Sequence, residues 1–314
     1  KMRIIKPAKL KTGDIIGIIA PASAPVDPTK LENGIRYIEK NGFRVELGKN
    51  ISKIDGYLAG TDQERADDLN LMFKTKNVKA IFCLRGGYGA SRILDKINYK
   101  LIRSNPKILV GYSEITALQL AILQKSGLVT FAGPMVATDF GNEITSYTED
   151  FFWRIVSSNK KIGRLKYPDD DKLVSITKGG ASGRIIGGNL SVFVALIGTD
   201  YFPDLKGRIL MIEEVDELPY KVDRLLNQLR LLKVFKQIKG IILGRFVDCI
   251  EHDTSKRTLT LGEVMEDYMK DLKIPVLYTF PHGHIKDKVT VPFGINIKMN
   301  ASKGFVEYLE SAVK

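Results

Sequence analysis

The 314-residue chain holds only three histidines, two cysteines and one tryptophan. Cys83 and Cys249 each sit in an apolar run, AIFCL and FVDCI, as buried thiols of a reducing compartment do, so a cytoplasmic protein is expected. No apolar stretch approaches the roughly 20 residues that cross a bilayer, which argues against a membrane partner. The opening KMRIIKPAKLKTGD lacks the apolar core of a secretory signal; none is expected, and Lys1 ahead of Met2 reads as an added residue. Internal repeats and low-complexity tracts are absent too. The formal net charge is +12, yet the lysines run along the whole chain without a block and without interleaved aromatics. A Lys-rich solvated surface fits that spread better than a nucleic-acid footprint, and an anionic small-molecule or peptide ligand remains compatible with it.

What is there is the composition of a soluble globular protein, 44% hydrophobic and 27% charged, long enough for two domains. In the first half, short apolar runs alternate with helical patterns. Ile15 to Ala20 stops at Pro21, and LENGIRYIEKNGF follows with Leu31, Ile35 and Ile38 at helical spacing. A strand over Phe43 to Leu47 leads to the helix DQERADDLNLMFK, and AIFCL runs into the Gly-rich turn RGGYGA. The helix ASRILDKI and the strand KILVGYS complete the series. Such alternation predicts an open parallel sheet covered on both faces, with ligands outside the carboxyl ends of its strands. RGGYG and GYSEIT both fall at that edge. After about residue 150 the pattern changes: a Gly- and Asp-rich stretch, YPDDDKLVSITKGGASGRIIGG, precedes strands RILMIEEV, GIILGRF and PVLYTF, a helix from Tyr220 to Leu232, and the alternating KVTVPFGINIKMN. The fold class expected is therefore α/β, with an N-terminal open parallel sheet over residues 1–160 and a β-rich C-terminal domain over 165–314.

Ser113 stands two residues past Gly111, at the head of a helical pattern, where a serine is ordinarily an N-cap. The stretch also departs from the G-x-S-x-G elbow, because Ile115 replaces the second glycine. Other residues favour a nucleophile. A base is needed, and histidine is the usual one near neutral pH. His252 lies in the polar loop EHDTSKR, whereas His282 and His284 lie in FPHGHIKDK just past a strand. The His-x-His pair invites a metal reading, but no further ligand cluster supports one, so no metal is expected. A carboxylate must orient the imidazole, and RILMIEEVDE ends in acids straight after an apolar run. Backbone N–H donors for an oxyanion are offered by RGGYG and by the helix beginning at Ser113. A Gly-rich turn equally suits a phosphate, which leaves a non-enzymatic phosphate or nucleotide binder as a rival; the turn lacks the Lys-Ser/Thr pair of a phosphate loop.

Taken together, GDIIGIIAPAS, YLAGTDQERADDLNLMF, AIFCLRGGYGASRIL, NPKILVGYSEITALQLAI, FAGPM, GGNLSVFVALIGTDY, LMIEEVDELPYKVDRLLNQL and GHIKDKVTVPFG resemble the LD-carboxypeptidase family of serine peptidases over nearly the whole chain. The resemblance implies Ser113 as nucleophile in the family's G-Y-S-D-I-T motif, with Glu114 where aspartate is usual. It implies Glu213 as the orienting acid, with Glu214 as the neighbour that an assignment one residue off would choose, and His284 as general base. His282 has no counterpart. Gly86, Gly87 and the Glu114 amide would form the oxyanion hole; Arg85, Tyr88, Arg184 and Asn189 are substrate-binding candidates, the arginines for a terminal carboxylate. The implied reaction is release of terminal D-alanine from cytoplasmic murein tetrapeptides, without metal or organic cofactor, by a homodimer with its site between the two domains. A microcin-immunity branch that hydrolyses peptidyl or aminoacyl adenylates is the rival within the family. Trp153, near the domain junction, offers no evident platform for adenine.

Overall fold

The apolar runs of the first half become strands because each is flanked by a turn or cap that stops a helix from forming across it. A computed structural model describes residues 3–25, 27–168 and 172–314; Lys1, Met2, Val26 and the three aspartates 169–171 lie outside the described residues. Strands β1 (Ile15–Ile19), β2 (Arg44–Leu47), β3 (Val78–Cys83), β4 (Ile108–Gly111) and β5 (Thr130–Ala132) pair in parallel in the order β5-β4-β3-β1-β2. Helices Pro28–Lys40 and Asp62–Lys74 connect the first three strands. Asp27 caps the first by accepting from the Thr29 amide, and Thr61 and Glu64 close a capping box on the second. The helix Thr116–Ser126 is buried along most of its length, so it carries no polar face.

The second half forms a mixed sheet. Its strands are β6 (Gly163–Arg164), β7 (Val174–Thr177), β8 (Gly180–Asn189), β9 (Ile209–Val215), β10 (Gly240–Val247) and β11 (Val276–Tyr278). Past β12 (Val291–Phe293), β13 (Asn296–Asn300) and β14 (Phe305–Tyr308) complete it. The order is β6-β14-β13-β8-β9-β10-β11-β7, with β8 to β11 parallel and the flanking strands antiparallel. The expected helix appears as Pro219–Leu231, and a further helix, Leu261–Met269, precedes β11. This half is therefore α/β at its centre, and only its flanks are antiparallel.

The two halves do not divide cleanly at residue 160. Strand β12 leaves the second half and pairs antiparallel with β5, as the sixth strand of the first sheet. A second junction lies at the end of β8, where the Asn189 amide donates to Thr116 Oγ1 at 3.1 Å. Gly188 permits this approach: its φ is +126°, and a Cβ there would stand 2.5 Å from Thr116 Oγ1 and 2.6 Å from its Cγ2. Gly188→Ala is expected to destabilise the protein by about 2–4 kcal/mol through strain and overpacking, measured as a lower urea midpoint with an unchanged slope.

Candidate active site

Ser113 follows β4 and opens a single 3₁₀ turn, Ser113–Ile115, ahead of the helix Thr116–Ser126. Its φ is +60°, a left-handed conformation that a non-glycine residue adopts at a cost and that clusters at functional sites. The serine makes no capping bond; the N-cap residue of the helix is Ile115. The ordinary N-cap role considered for Ser113 is thereby excluded, and the strained turn forms without a second glycine. Gly111 makes room for Ile115 instead, since a Cβ at 111 would lie 2.9 Å from that side chain.

The Gly-rich turn packs directly onto the serine. A Cβ at Gly86 would be 3.0 Å from Ser113 Cβ, 3.1 Å from its Oγ and 3.5 Å from the Glu114 amide nitrogen. Among the described residues neither the Gly86 nor the Gly87 amide has an acceptor in the fold, so both stay available beside Ser113. The rest of the turn is committed. The Tyr88 amide donates to Ser23 Oγ at 3.0 Å, and the Gly89 and Ala90 amides donate to Glu114 Oε1 at 2.9 and 2.8 Å. Glu114 thus does more than lend its amide: its buried carboxylate fixes the turn. Burial raises its pKa while the Gly89 and Ala90 amides pull it back. Two amides that a bound phosphate would need are already taken by this carboxylate.

His284 and Glu213 meet from the second half. His284 Nδ1 bonds Glu213 Oε2 at 2.9 Å; the carboxylate is buried and the ring about one-fifth exposed. Gly283, at φ +134°, lets the loop close on the acid, because a Cβ there would lie 3.0 Å from Glu213 Oε2. Glu214 points elsewhere and accepts from Asn189 Nδ2 at 2.7 Å, the Ser191 amide at 2.8 Å and Ser191 Oγ at 2.5 Å. Tyr112, next to the serine, packs edge-on against the His284 ring with centroids 5.2 Å apart. The His284 ring thus stands against the residue that precedes Ser113, and among the described residues no hydrogen bond joins Ser113 Oγ to the imidazole.

The carboxylate-binding and peripheral candidates divide. Arg85, half-buried, donates to the Ala24 carbonyl at 3.2 Å and lines a cavity of about 230 Å³ with Asp27, Lys30 and Thr138, next to Gly86. Tyr88 is exposed and meets Tyr57 edge-on at 5.6 Å. Arg184 is not at the site. It stands five residues before Asn189 on β8, roughly 17 Å away at about 3.3 Å per residue, and its Nη1 donates to the Gly294 carbonyl at 2.5 Å. Asn189 is near but spent, since its buried carboxamide donates to Glu214 and accepts from the Val192 amide at 3.2 Å. Trp153 is locked against Phe43, with ring centroids 4.9 Å apart, and donates to Tyr37. Among the described residues no group of His, Cys, Asp and Glu could hold a metal.

Three residues that sequence reasoning missed support the site. Lys288 is buried, and its Nζ bonds Asp139 Oδ1 at 2.6 Å and Tyr112 Oη at 3.1 Å, tying the His284 loop to the serine turn. Ser23, the third, receives the Gly-rich turn. Its place just past β1, at the same sheet edge as RGGYG, was the available signal; nothing local marked Lys288 or Asp139.

Two family descriptions match the chain: LD-carboxypeptidase N-terminal domain over residues 16–133 and LD-carboxypeptidase C-terminal domain over residues 182–299. A probable murein peptide carboxypeptidase of Bacillus subtilis is 40% identical over 300 residues, covering 95% of this chain and 92% of that protein. The crystal structure of muramoyltetrapeptide carboxypeptidase from Oxalobacter formigenes superposes with a TM-score of 0.83 at 28% identity, covering 93% of this chain and 97% of the other. The wild-type apo structure of the microcin C7 self-immunity protein MccF gives a TM-score of 0.91 at 28% identity, covering 99% and 100%.

His282 is buried, with Nδ1 against the Val289 carbonyl at 2.7 Å, and burial depresses its pKa to about 4. The folded state keeps the ring neutral where the unfolded chain, with an ordinary pKa near 6.5, takes up a proton. Its stabilising contribution is therefore full above about pH 6.5 and is lost as pH falls toward 4. His282→Asn, which cannot titrate, is expected to show less acid destabilisation between pH 7 and 4. The difference from wild type should reach about 3 kcal/mol at ~1.4 kcal/mol per unit, read from urea midpoints across pH.

Proposed function

Since the chain belongs to the LD-carboxypeptidase family and is a serine carboxypeptidase, we propose that its substrate is a murein tetrapeptide, cleaved between an L-centred residue and the terminal D-alanine. The setting proposed is cytoplasmic cell-wall recycling, with the enzyme acting as a homodimer. The observation that carries the reading is the buried Glu213–His284 bond, whose ring packs on Tyr112 beside the backbone-strained Ser113. The names of the Bacillus and Oxalobacter relatives support the substrate class.

In this mechanism Ser113 Oγ attacks the carbonyl carbon while His284 Nε2 takes its proton, drawing the hydroxyl into the hydrogen bond that substrate binding completes. Glu213 holds the ring with Nδ1 protonated and stabilises the imidazolium that forms. The oxyanion is received by the Gly86, Gly87 and Glu114 amides. The C–N bond breaks as His284 returns the proton to the amine of D-alanine. Water, deprotonated by the same imidazole, then adds to the acyl-enzyme carbonyl. Collapse releases the shortened peptide and reprotonates Ser113. Arg85 pairs with the terminal carboxylate, assisted by Lys30 across the same cavity.

A second reading, hydrolysis of peptidyl or aminoacyl adenylates, is favoured by two observations: the MccF likeness and the exposed Tyr57–Tyr88 pair, an aromatic surface on the Gly-rich turn.

Mass spectrometry of a murein tetrapeptide incubated with the enzyme should show loss of one alanine, absent with Ser113→Ala. An aminoacyl sulfamoyl adenosine should remain intact; its cleavage in place of the tetrapeptide establishes the second reading. Glu213→Gln is expected to lower kcat by about 10²–10⁴-fold, whereas Glu214→Gln should lower the urea midpoint. Arg85→Ala should raise KM tenfold or more, about 1.5 kcal/mol for a charged hydrogen bond. An unchanged KM removes Arg85 from carboxylate recognition.

A further inference from the structure

A cavity of about 1100 Å³ lies at the opposite strand ends from Ser113, Glu213 and His284. Arg184 and Arg208 line it, and Arg208 stands five residues ahead of Glu213 in the run into β9, roughly 17 Å at about 3.3 Å per residue. The helix Thr116–Ser126 begins beside the serine turn and reaches this cavity with Leu123 and Gln124. The space is thus walled by both halves of the chain but is separate from the catalytic crevice.

Its lining is strongly cationic. Arg3, Arg184, Lys206, Arg208 and Lys239 face two carboxylates, those of Asp204 and Glu310. Glu310 is already occupied, accepting from Lys6 Nζ at 2.5 Å, the Asn296 amide at 2.6 Å and Asn296 Nδ2 at 2.9 Å. Arg184 reaches it only at 3.6 Å. Asp204 Oδ1 accepts from the Lys206 amide, and its carbonyl accepts from Arg208 Nε at 3.2 Å. Among the described residues Lys206, Arg208 and Lys239 have no carboxylate within ion-pair distance. Arg208 Nη1 is buried with no acceptor at all. A buried guanidinium N–H without an acceptor is costly, and an oxygen anion in the cavity supplies the missing partner. Burial lowers the Arg208 pKa, Asp204 restores part of it, and the nearby Arg184 charge lowers it a little further, as crowded cations do.

We propose that this cavity binds a phosphate-bearing small molecule carrying at least two negative charges. Guanidinium forks recognise phosphate oxygens in pairs, and the flanking lysines supply point charges. A half-open cavity of small-molecule size, and not an extended basic stripe, selects a compact ligand over a nucleic-acid strand. The proposal is independent of the murein reading, because none of these residues takes part in the peptidase chemistry.

The test is calorimetric titration of the full chain with inorganic pyrophosphate at fixed ionic strength. Saturable binding of one pyrophosphate per chain is expected. It should be at least tenfold weaker in Lys206→Ala/Lys239→Ala, weaker again in Arg208→Gln, and unchanged in Ser113→Ala. Both lysines are exposed, so the double variant folds even where Arg208→Gln does not; circular dichroism verifies this. Absence of saturable heat, equal affinity in the double variant, or weakening by Arg85→Ala in its place overturns the proposal. Citrate binding as tightly as pyrophosphate overturns the phosphate assignment.

Discussion

The ion pair between Lys288 and Asp139 is the constraint on which the site depends. Lys288 lies four residues past His284, while Asp139 belongs to the helical turn Val136–Phe140 and also accepts from the Met135 amide at 2.8 Å. Both charges are largely buried, so neither can leave water without the other, and removing one partner of such a pair typically costs about 3–5 kcal/mol. The Lys288 ammonium also meets the Tyr112 hydroxyl and sits 4.3 Å from that ring's centroid. Tyr112 in turn packs on the His284 imidazole and precedes Ser113. One desolvated contact thereby fixes three things together: the loop carrying His284, the Tyr112 ring beside it, and the turn carrying Ser113.

Adjacent acids illustrate how strand geometry separates roles that look equivalent in a sequence. Successive side chains of a strand point to opposite faces. Glu213 therefore faces the histidine loop, and Glu214 faces the start of helix Leu190–Ala195, where it receives the Ser191 amide and hydroxyl. Glu214 binds the N-terminal end of that helix, a favourable place for negative charge, and its partners offset the burial that raises its pKa. The same logic acts at the Gly-rich turn, where the Glu114 carboxylate occupies two amides and leaves those of Gly86 and Gly87 open beside the serine.

Much of this was legible in the sequence, for local reasons. Apolar runs such as ILVG and AIFC bounded by Gly or Pro mark buried parallel strands, and Leu31, Ile35 and Ile38 mark a helix whatever surrounds them. Ser113, the acids of IEEVDE and the histidines of FPHGHIKDK could be marked as candidates because each group follows an apolar run at a sheet edge, whereas the choice of Glu213 and His284 among them rested on the family resemblance. What was not legible depends on the partner across space. Arg184 looked available until its strand was threaded and its guanidinium turned to the Gly294 carbonyl. Asn189 looked like a binding residue until its amide was spent on a helix start. Lys288, one lysine among many, acquires meaning only when Asp139, 149 positions earlier, comes against it. The return of β12 to the first sheet was hidden for the same reason, since nothing in VPF says which sheet it will join.

That returning segment, Val291–Phe293, has a consequence for how the protein is born on the ribosome. The opening five strands emerge with β5 as an unprotected edge, and the piece that covers it is synthesised only after about 160 further residues. Until then the early sheet can neither close nor receive the loop just ahead of β12, which bears the imidazole. Hydrolytic competence is therefore deferred until residues 291–293 have emerged, and a chain interrupted before that point exposes a sticky margin in place of an active enzyme.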